Sequence, residues 1–277
     1  MWFFACGYIK DAAMAIVERD VETIPQLIST VLQIQEQLPL EHKLWFRGVG
    51  NHNHSLIPKI MRSQRKSEDV FEREKRLITR FRQRSMAYWP EGYSQNDWEH
   101  LFAMQHYGLS TRLLDWSENV FVATFFAVSH VPSPQEEQGV VPILWCMDPV
   151  RWNRSMPGLS EYGDTVRVLT TVDDEIESYR PETTRRRSKS PVAMYGAHNS
   201  NRIVAQRGTF TVWGADTQDM EAFAESSPNE LLWKIRLIGE RGQLYRDIQS
   251  LGFSETMIFP DLPSLALELE RVEGWRE

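Results

Sequence analysis

Seven hydrogen-bonding side chains crowd one short stretch of this sequence. Gln105, His106, Tyr107, Thr111, Arg112, Asp115 and Trp116 fall within AMQHYGLSTRLLDWSENVFVATFFA, residues 103–127, which then turns apolar and stays so. Such a cluster ahead of a buried helix is either a polar structural knot or a site. His106 can hydrogen-bond ribose hydroxyls, and Tyr107 can stack on a flat ring. Arg112 and Asp115 could pair with each other across one turn, with Trp116 packed over them, which would make them scaffold.

Two further positions carry chemistry. Arg47 ends the short apolar run LWFRG, residues 44–48, so its charge has to be matched. An internal ion pair would do that. So would a phosphate or carboxylate gripped by the planar guanidinium fork, with Gly48 letting the ligand approach the backbone. Gln206 and Arg207, in QRGTF, stand just before another strand, where either can face a cleft.

Other signatures are missing. The sequence has no G-x-G-x-x-G, P-loop, G-x-S-x-G or H-E-x-x-H, which removes the usual dinucleotide, nucleotide triphosphatase, hydrolase and zinc-protease patterns. His52 and His54 have no third metal ligand nearby, so a solvated loop is the simpler reading and no metal site is expected. No set of carboxylates marks a metal-dependent nuclease. The run RRRSK, 185–189, reads first as a solvated loop and second as a nucleic-acid contact.

The elements that must position these residues follow from periodicity and caps. Thr23 to Leu38 reads as a helix, with Thr23 and Gln26 as a capping box and Pro25 in the first turn. Residues 68–88 form the clearest helix. Val70, Phe71, Ile78, Phe81 and Tyr88 mark its apolar stripe, and Arg73, Lys75, Arg76, Arg80, Arg82 and Arg84 load the rest. Trp98–His106 ends at Gly108, and Val120–Val128 begins after Ser117 or Asn119 as cap. GVVPILWCM (139–147) and ELLWKIRLI (230–238) read as strands, and RIVAQRGTFTVWG (202–214) as a strand or hairpin. Pro142 argues for a bulge or edge in the first. A helix through Leu244, Ile248 and Leu251, a short strand and turn at TMIFPDL, and a helix over Leu265–Leu269 close the chain. Residues 151–200 are polar and irregular, with RPETTRRRSKSP as the mobile part. The elements mix without a βαβ rhythm, which points to an α+β fold: a mixed or antiparallel sheet with flanking helices. Residues 1–39 are expected as a strand and helix added to a core domain of 40–277.

The bulk numbers set limits. The chain has 277 residues, 42% hydrophobic and 25% charged, and a formal charge of −7. That is ample for a core and repels nucleic acid unless a local basic patch gathers it. Cys6 and Cys146 are too few for a disulfide framework or zinc site, and Cys146 sits in an apolar run. A reducing, cytoplasmic setting is expected. The N-terminal stretch lacks the layout of a signal peptide, and no segment suits a bilayer.

Together LWFRG, the L-x-P-x-x-x-R of Leu56 to Arg62, the helix at 72–81, MQHYGLSTRLLDWSENVFVATFFA, NRIVAQRGTF and MIFPDL resemble the FRG-domain family in kind and order, over roughly residues 40–262. That family is named for the Phe-Arg-Gly motif, here Phe46, Arg47 and Gly48. It more often has proline at Ser110 and threonine at Ser117. Its members occur in bacterial and phage genomes, often beside defence or toxin genes. There is also a looser resemblance to mono-ADP-ribosyltransferases. By that resemblance Arg47 would hold the NAD pyrophosphate, His106, Tyr107 and Thr111 would form the second element, and Gln206 would open the third. Gly208 stands where a catalytic glutamate belongs, which leaves Asp115 and Glu118 as substitute carboxylates, or a domain that binds a nucleotide or partner without turnover. The resemblance implies Arg47, His106, Tyr107 and Gln206 as catalytic residues. Arg47, Gly48, Tyr107, Thr111 and Arg112 would bind the cofactor, with Asp115, Trp116 and Glu118 in support. It also implies NAD as substrate, an RNA or protein acceptor, an antitoxin or chaperone partner, and a role as toxin or anti-phage effector.

Overall fold

Every residue of Ile143-Leu144-Trp145-Cys146-Met147 is buried, and such a strand needs cover on both faces. The computed structural model supplies it. The structure describes residues 16–62, 69–89, 96–130, 139–196 and 201–275; Cys6 and the N-terminal stretch 1–15 lie outside them.

In chain order the elements are β1 (Ile16–Val21), α1 (Ile24–Gln35), β2 (Trp45–Val49), α2 (Val70–Ser85), α3 (Asp97–His106), β3 (Leu113–Ser117) and α4 (Val120–Val128). Then come β4 (Ile143–Met147), α5 (Pro149–Ser155), β5 (Val192–Met194), α6 (Asn201–Gln206), β6 (Gly208–Val212) and α7 (Met220–Glu225). The chain continues through β7 (Leu232–Leu237), α8 (Arg241–Ser250), α9 (Glu255–Ile258) and α10 (Leu262–Val272). The strands form one seven-stranded sheet in the order β1-β7-β4-β2-β3-β6-β5. Among the described strands, only the β1–β7 pair is parallel. The fold is therefore α+β with a mixed sheet, and β1 forms one edge of it.

Strand alternation splits the core into two clusters. Trp45, Ile143, Trp145 and Met147 join α3, α5 and α7 on one face. Phe46, Leu144, Cys146, Trp233 and Ile235 join α1, α4 and α8 on the other. Cys146 is a free, buried thiol whose pKa burial pushes up, as its apolar run suggested. No helix among the described residues is long and apolar enough to cross a membrane.

Several sequence readings change. LLDWS is a strand, so Arg112 and Asp115 do not face each other across a helical turn. NRIVAQ is a helix, not a strand; it ends at Arg207, whose φ of 46° turns the chain into β6. TMI is helical in α9, so no strand forms there. The polar stretch 151–200 contains α5, two short 3-10 helices and β5, with Trp152, Ile176 and Tyr179 fully buried. At RRRSK, Arg187 lies 4.0 Å over the Phe71 ring and donates to the carbonyls of Arg180 and Pro181. Pro142 falls just before β4, where its missing N–H costs nothing to the ladder.

Candidate functional site

β2 and β3 are paired at Phe46 and Ser117 and then part. A cavity of about 290 Å³ opens where they separate. Arg47, from β2, crosses the gap and donates from Nη1 to the Asp115 carbonyl of β3 at 2.6 Å. One guanidinium thus takes the place of ladder hydrogen bonds. Its Nε is buried and has no hydrogen-bond partner among the described residues. Burial pulls its pKa down to about 10, opposed by Asp115 and assisted by Arg62, so it stays charged at neutral pH.

Polar groups enter the cavity from four elements. α3 brings Gln105 and His106, β3 brings Asp115 and Ser117, α6 brings Arg202 and Gln206, and β2 brings Arg47. Phe102, Phe126, Phe210, Trp116 and Val122 supply apolar wall. Gln105 donates to the Asp115 carboxylate at 2.6 Å, and the Thr111 hydroxyl donates to the other end of the same amide. A buried threonine therefore aims a glutamine that holds a carboxylate. Burial lowers the pKa of His106, as does the charge of Arg202, while Asp115 opposes both. Burial and Arg202 thus favour the neutral ring, the form that can accept a proton. Arg202 lies over the Phe259 ring at 4.6 Å, its pKa lowered by burial against the pull of Asp115 and Asp261.

The sequence-derived residues divide clearly. Arg47, Gly48, His106, Asp115, Trp116 and Gln206 line the cavity together. Gln206 donates to Ile258 O at 3.1 Å, and its own carbonyl accepts from Ser117 Oγ at 2.6 Å, so it also fixes α6 to β3. Trp116 is buried and donates to Thr211 Oγ1 at 3.1 Å.

The others lie elsewhere. Tyr107 is 70% exposed, outside the wall assigned to it, with its ring edge-on to His106 at 4.7 Å. Thr111 is buried and reaches the site only through Gln105. Arg112 is fully buried and its Nε bonds Glu74 at 2.7 Å, with Nη1 on Trp213 O at 2.9 Å and Nη2 on Tyr179 O. It is scaffold, and its partner is Glu74 rather than Asp115. Glu118 receives a 3.4 Å contact from the Tyr195 hydroxyl and does not line the cavity. Gly48 lines it but serves packing: a Cβ there would sit 1.8 Å from the Ala123 carbonyl oxygen of α4. His52 accepts from Val141 N at 3.3 Å, and no group of three metal-ligating residues occurs among the described residues.

Sequence reasoning left Gln105 and Arg202 unassigned. Gln105 was visible in the crowded motif, but its tie to Asp115 depends on β3 running past the end of α3. Arg202 was hidden inside a stretch read as a strand.

Comparison with known proteins agrees with the motifs as far as α4. The FRG domain family matches residues 42–136, from just before β2 to just beyond α4. No curated protein and no solved structure matches the chain. The matched stretch contains Arg47, Gln105, His106 and Asp115; Arg202 and Gln206 fall beyond it.

Proposed function

Taking this chain as one that carries an FRG domain, we propose that the cavity between β2 and β3 binds NAD as substrate and transfers ADP-ribose to an acceptor. One observation carries the reading: two arginines, a tethered carboxylate and a histidine converge on one aromatic-walled cavity. Arg47 and Arg202 fit a pyrophosphate, whose oxygens suit the guanidinium fork. A cavity of about 290 Å³ lies at the small end for ligand sites, so it suits one half of a dinucleotide, with the other half across the rim.

The chemistry balances on these residues. The bond between ribose C1′ and the nicotinamide nitrogen breaks, and its electron pair leaves with neutral nicotinamide. Positive charge grows at C1′ in an oxocarbenium-like transition state, which the Asp115 carboxylate stabilises. An acceptor oxygen or nitrogen bonds to C1′, and its proton passes to His106. Gln105 and Thr111 keep Asp115 in place through this step. Asp115 thereby takes the part that Gly208 lacks.

Incubation with NAD labelled in the adenylate phosphate, in the presence of cell extract, tests the reading. Label on a macromolecule is expected from the native protein, and at least a hundredfold less from Asp115→Asn. Equal labelling by the variant would remove Asp115 from the mechanism. NAD binding without label transfer would favour the non-catalytic module, for which Gly208 is the supporting observation.

A further inference from the structure

Helix α2 carries a charge pattern that the cavity does not use. Arg73, Arg76, Arg80 and Arg84 are spaced by three, four and four residues, which keeps them within one narrow arc of the helix. Arg76, Arg80 and Arg84 are exposed, and the last two make no ion pair among the described residues. The acidic groups of α2 lie in its first turns, away from Arg80 and Arg84. Glu74 is buried on Arg112, and Glu72, with the cap residue Asp69, acts on Arg187. In a chain of net charge −7, this is a concentrated positive strip.

The strip leads to the cavity. Arg73 Nη1 lies 3.5 Å from the Ile60 carbonyl, in the segment that precedes Arg62. Arg62 is close enough to Arg47 to lower its pKa. Lys59 Nζ donates to the Gly108 carbonyl at 3.0 Å, beside Tyr107. Aromatic faces stand at both ends: Tyr107 is 70% exposed at the cavity side, and Tyr88, just past α2, is 85% exposed.

We infer that the arginine strip of α2, with Tyr107, binds a single-stranded polynucleotide that runs toward the mouth of the cavity. Arg76, Arg80 and Arg84 recur about every 6 Å along the helix axis, comparable to successive phosphates of an extended strand. Exposed aromatic rings beside a basic track are what unpaired bases require, because each can stack. A duplex hides those base faces, and an anionic membrane offers none. The RRRSK loop is not part of the track. It meets α2 at Phe71, and Glu182 pairs with Arg82, on the side of the helix opposite the strip. The strand's role as acceptor rests on the reading of the previous subsection; its binding does not.

Fluorescence anisotropy of the full chain with labelled oligonucleotides tests this without any turnover. The native protein is expected to bind single strands at least tenfold more tightly than a duplex of the same length. RNA and DNA arms show which sugar is preferred. Arg80→Glu with Arg84→Glu is expected to weaken binding at least tenfold and to reduce the slope of log affinity against log salt by about 1.4. Tyr107→Ala is expected to weaken it about tenfold with the slope unchanged. Arg19→Glu reverses one charge, half the change of the double variant, on β1, which three strands separate from β3 in the sheet, and should leave binding as it is. No binding, equal binding to duplex, tighter binding to phosphatidylserine vesicles, or equal losses from Arg19→Glu would each overturn the inference. A thermal melt of every variant shows that losses do not come from unfolding.

Discussion

The Arg47 side chain reaches from β2 to the Asp115 carbonyl of β3 at 2.6 Å, at the point where the two strands stop pairing. One residue thus closes a gap in the sheet and sets a positive charge in the cavity. These two duties can be separated. Arg47→Ala leaves the Asp115 carbonyl without its donor and is expected to cost about 1–2 kcal/mol of stability. Arg47→Lys keeps the charge but loses the fork, so nucleotide binding should fall at least tenfold while the loss in stability is smaller. Urea denaturation and calorimetry on both variants distinguish these outcomes. Native affinity in Arg47→Lys would show that the fork is not used.

Gly48 and Gly208 both border the cavity but differ in tolerance. A Cβ at Gly48 meets the Ala123 carbonyl at 1.8 Å and the Ala127 nitrogen at 2.7 Å, whereas one at Gly208 meets Ile203 at an ordinary 3.5 Å. Gly48→Ala is therefore expected to destabilise the fold by about 3 kcal/mol as α4 is forced off β2. Gly208→Ala should change stability by less than about 1 kcal/mol. Urea midpoints measured side by side check this, and similar values would show that α4 can shift freely.

Arg112 and Glu74 form a buried pair that also holds Trp213 and Tyr179 through their carbonyls. Glu74→Gln strands a buried guanidinium and is expected to cost about 3–5 kcal/mol. It should leave the nucleotide affinity of the folded fraction unchanged. A loss of affinity with stability intact would return Arg112 to the site.

Glu221 gives a pH signature away from the cavity. Burial pushes its carboxyl up to about 7, although the Leu56 N–H donates to it at 3.0 Å. The folded state then holds a proton that the unfolded chain releases above about 4.5. Stability from this group is present below that pH and is lost as pH rises through 7. Glu221→Gln should remove about 1–3 kcal/mol of this slope and stabilise the protein at pH 8. Chemical denaturation at pH 5 and pH 8 reads it directly; an unchanged slope would place the carboxylate in contact with water.

Local signals carried much of the fold. Asn119 ahead of a nine-residue apolar run announced α4, and its side chain does accept from Phe121 N at 2.9 Å. Thr23, Gln26 and Pro25 announced α1 in the same way. β3 was illegible because it is only five residues long, and Arg112 just before it and Asp115 within it, three apart, look equally like a helical turn. The partner of Arg112 was illegible because Glu74 lies 38 residues away on a helix whose charges look solvated. α6 was hidden because its six residues run straight into the strand-like TFTV, and the stop is a left-handed Arg207 rather than a glycine. At the site, Arg47 was legible as a charge ending an apolar run, and His106, Asp115 and Gln206 through the crowded polar stretch, the QRGTF segment and the family resemblance. Their convergence depends on the split between β2 and β3, which no local pattern records.

Calorimetric titration of NAD into the native protein and into Arg47→Ala and Arg202→Ala tests the central claim most directly. The account predicts one site per chain for the native protein, with affinity at least tenfold weaker in each variant although both remain folded. Absence of NAD binding to the native protein, or the same affinity in all three, would contradict it.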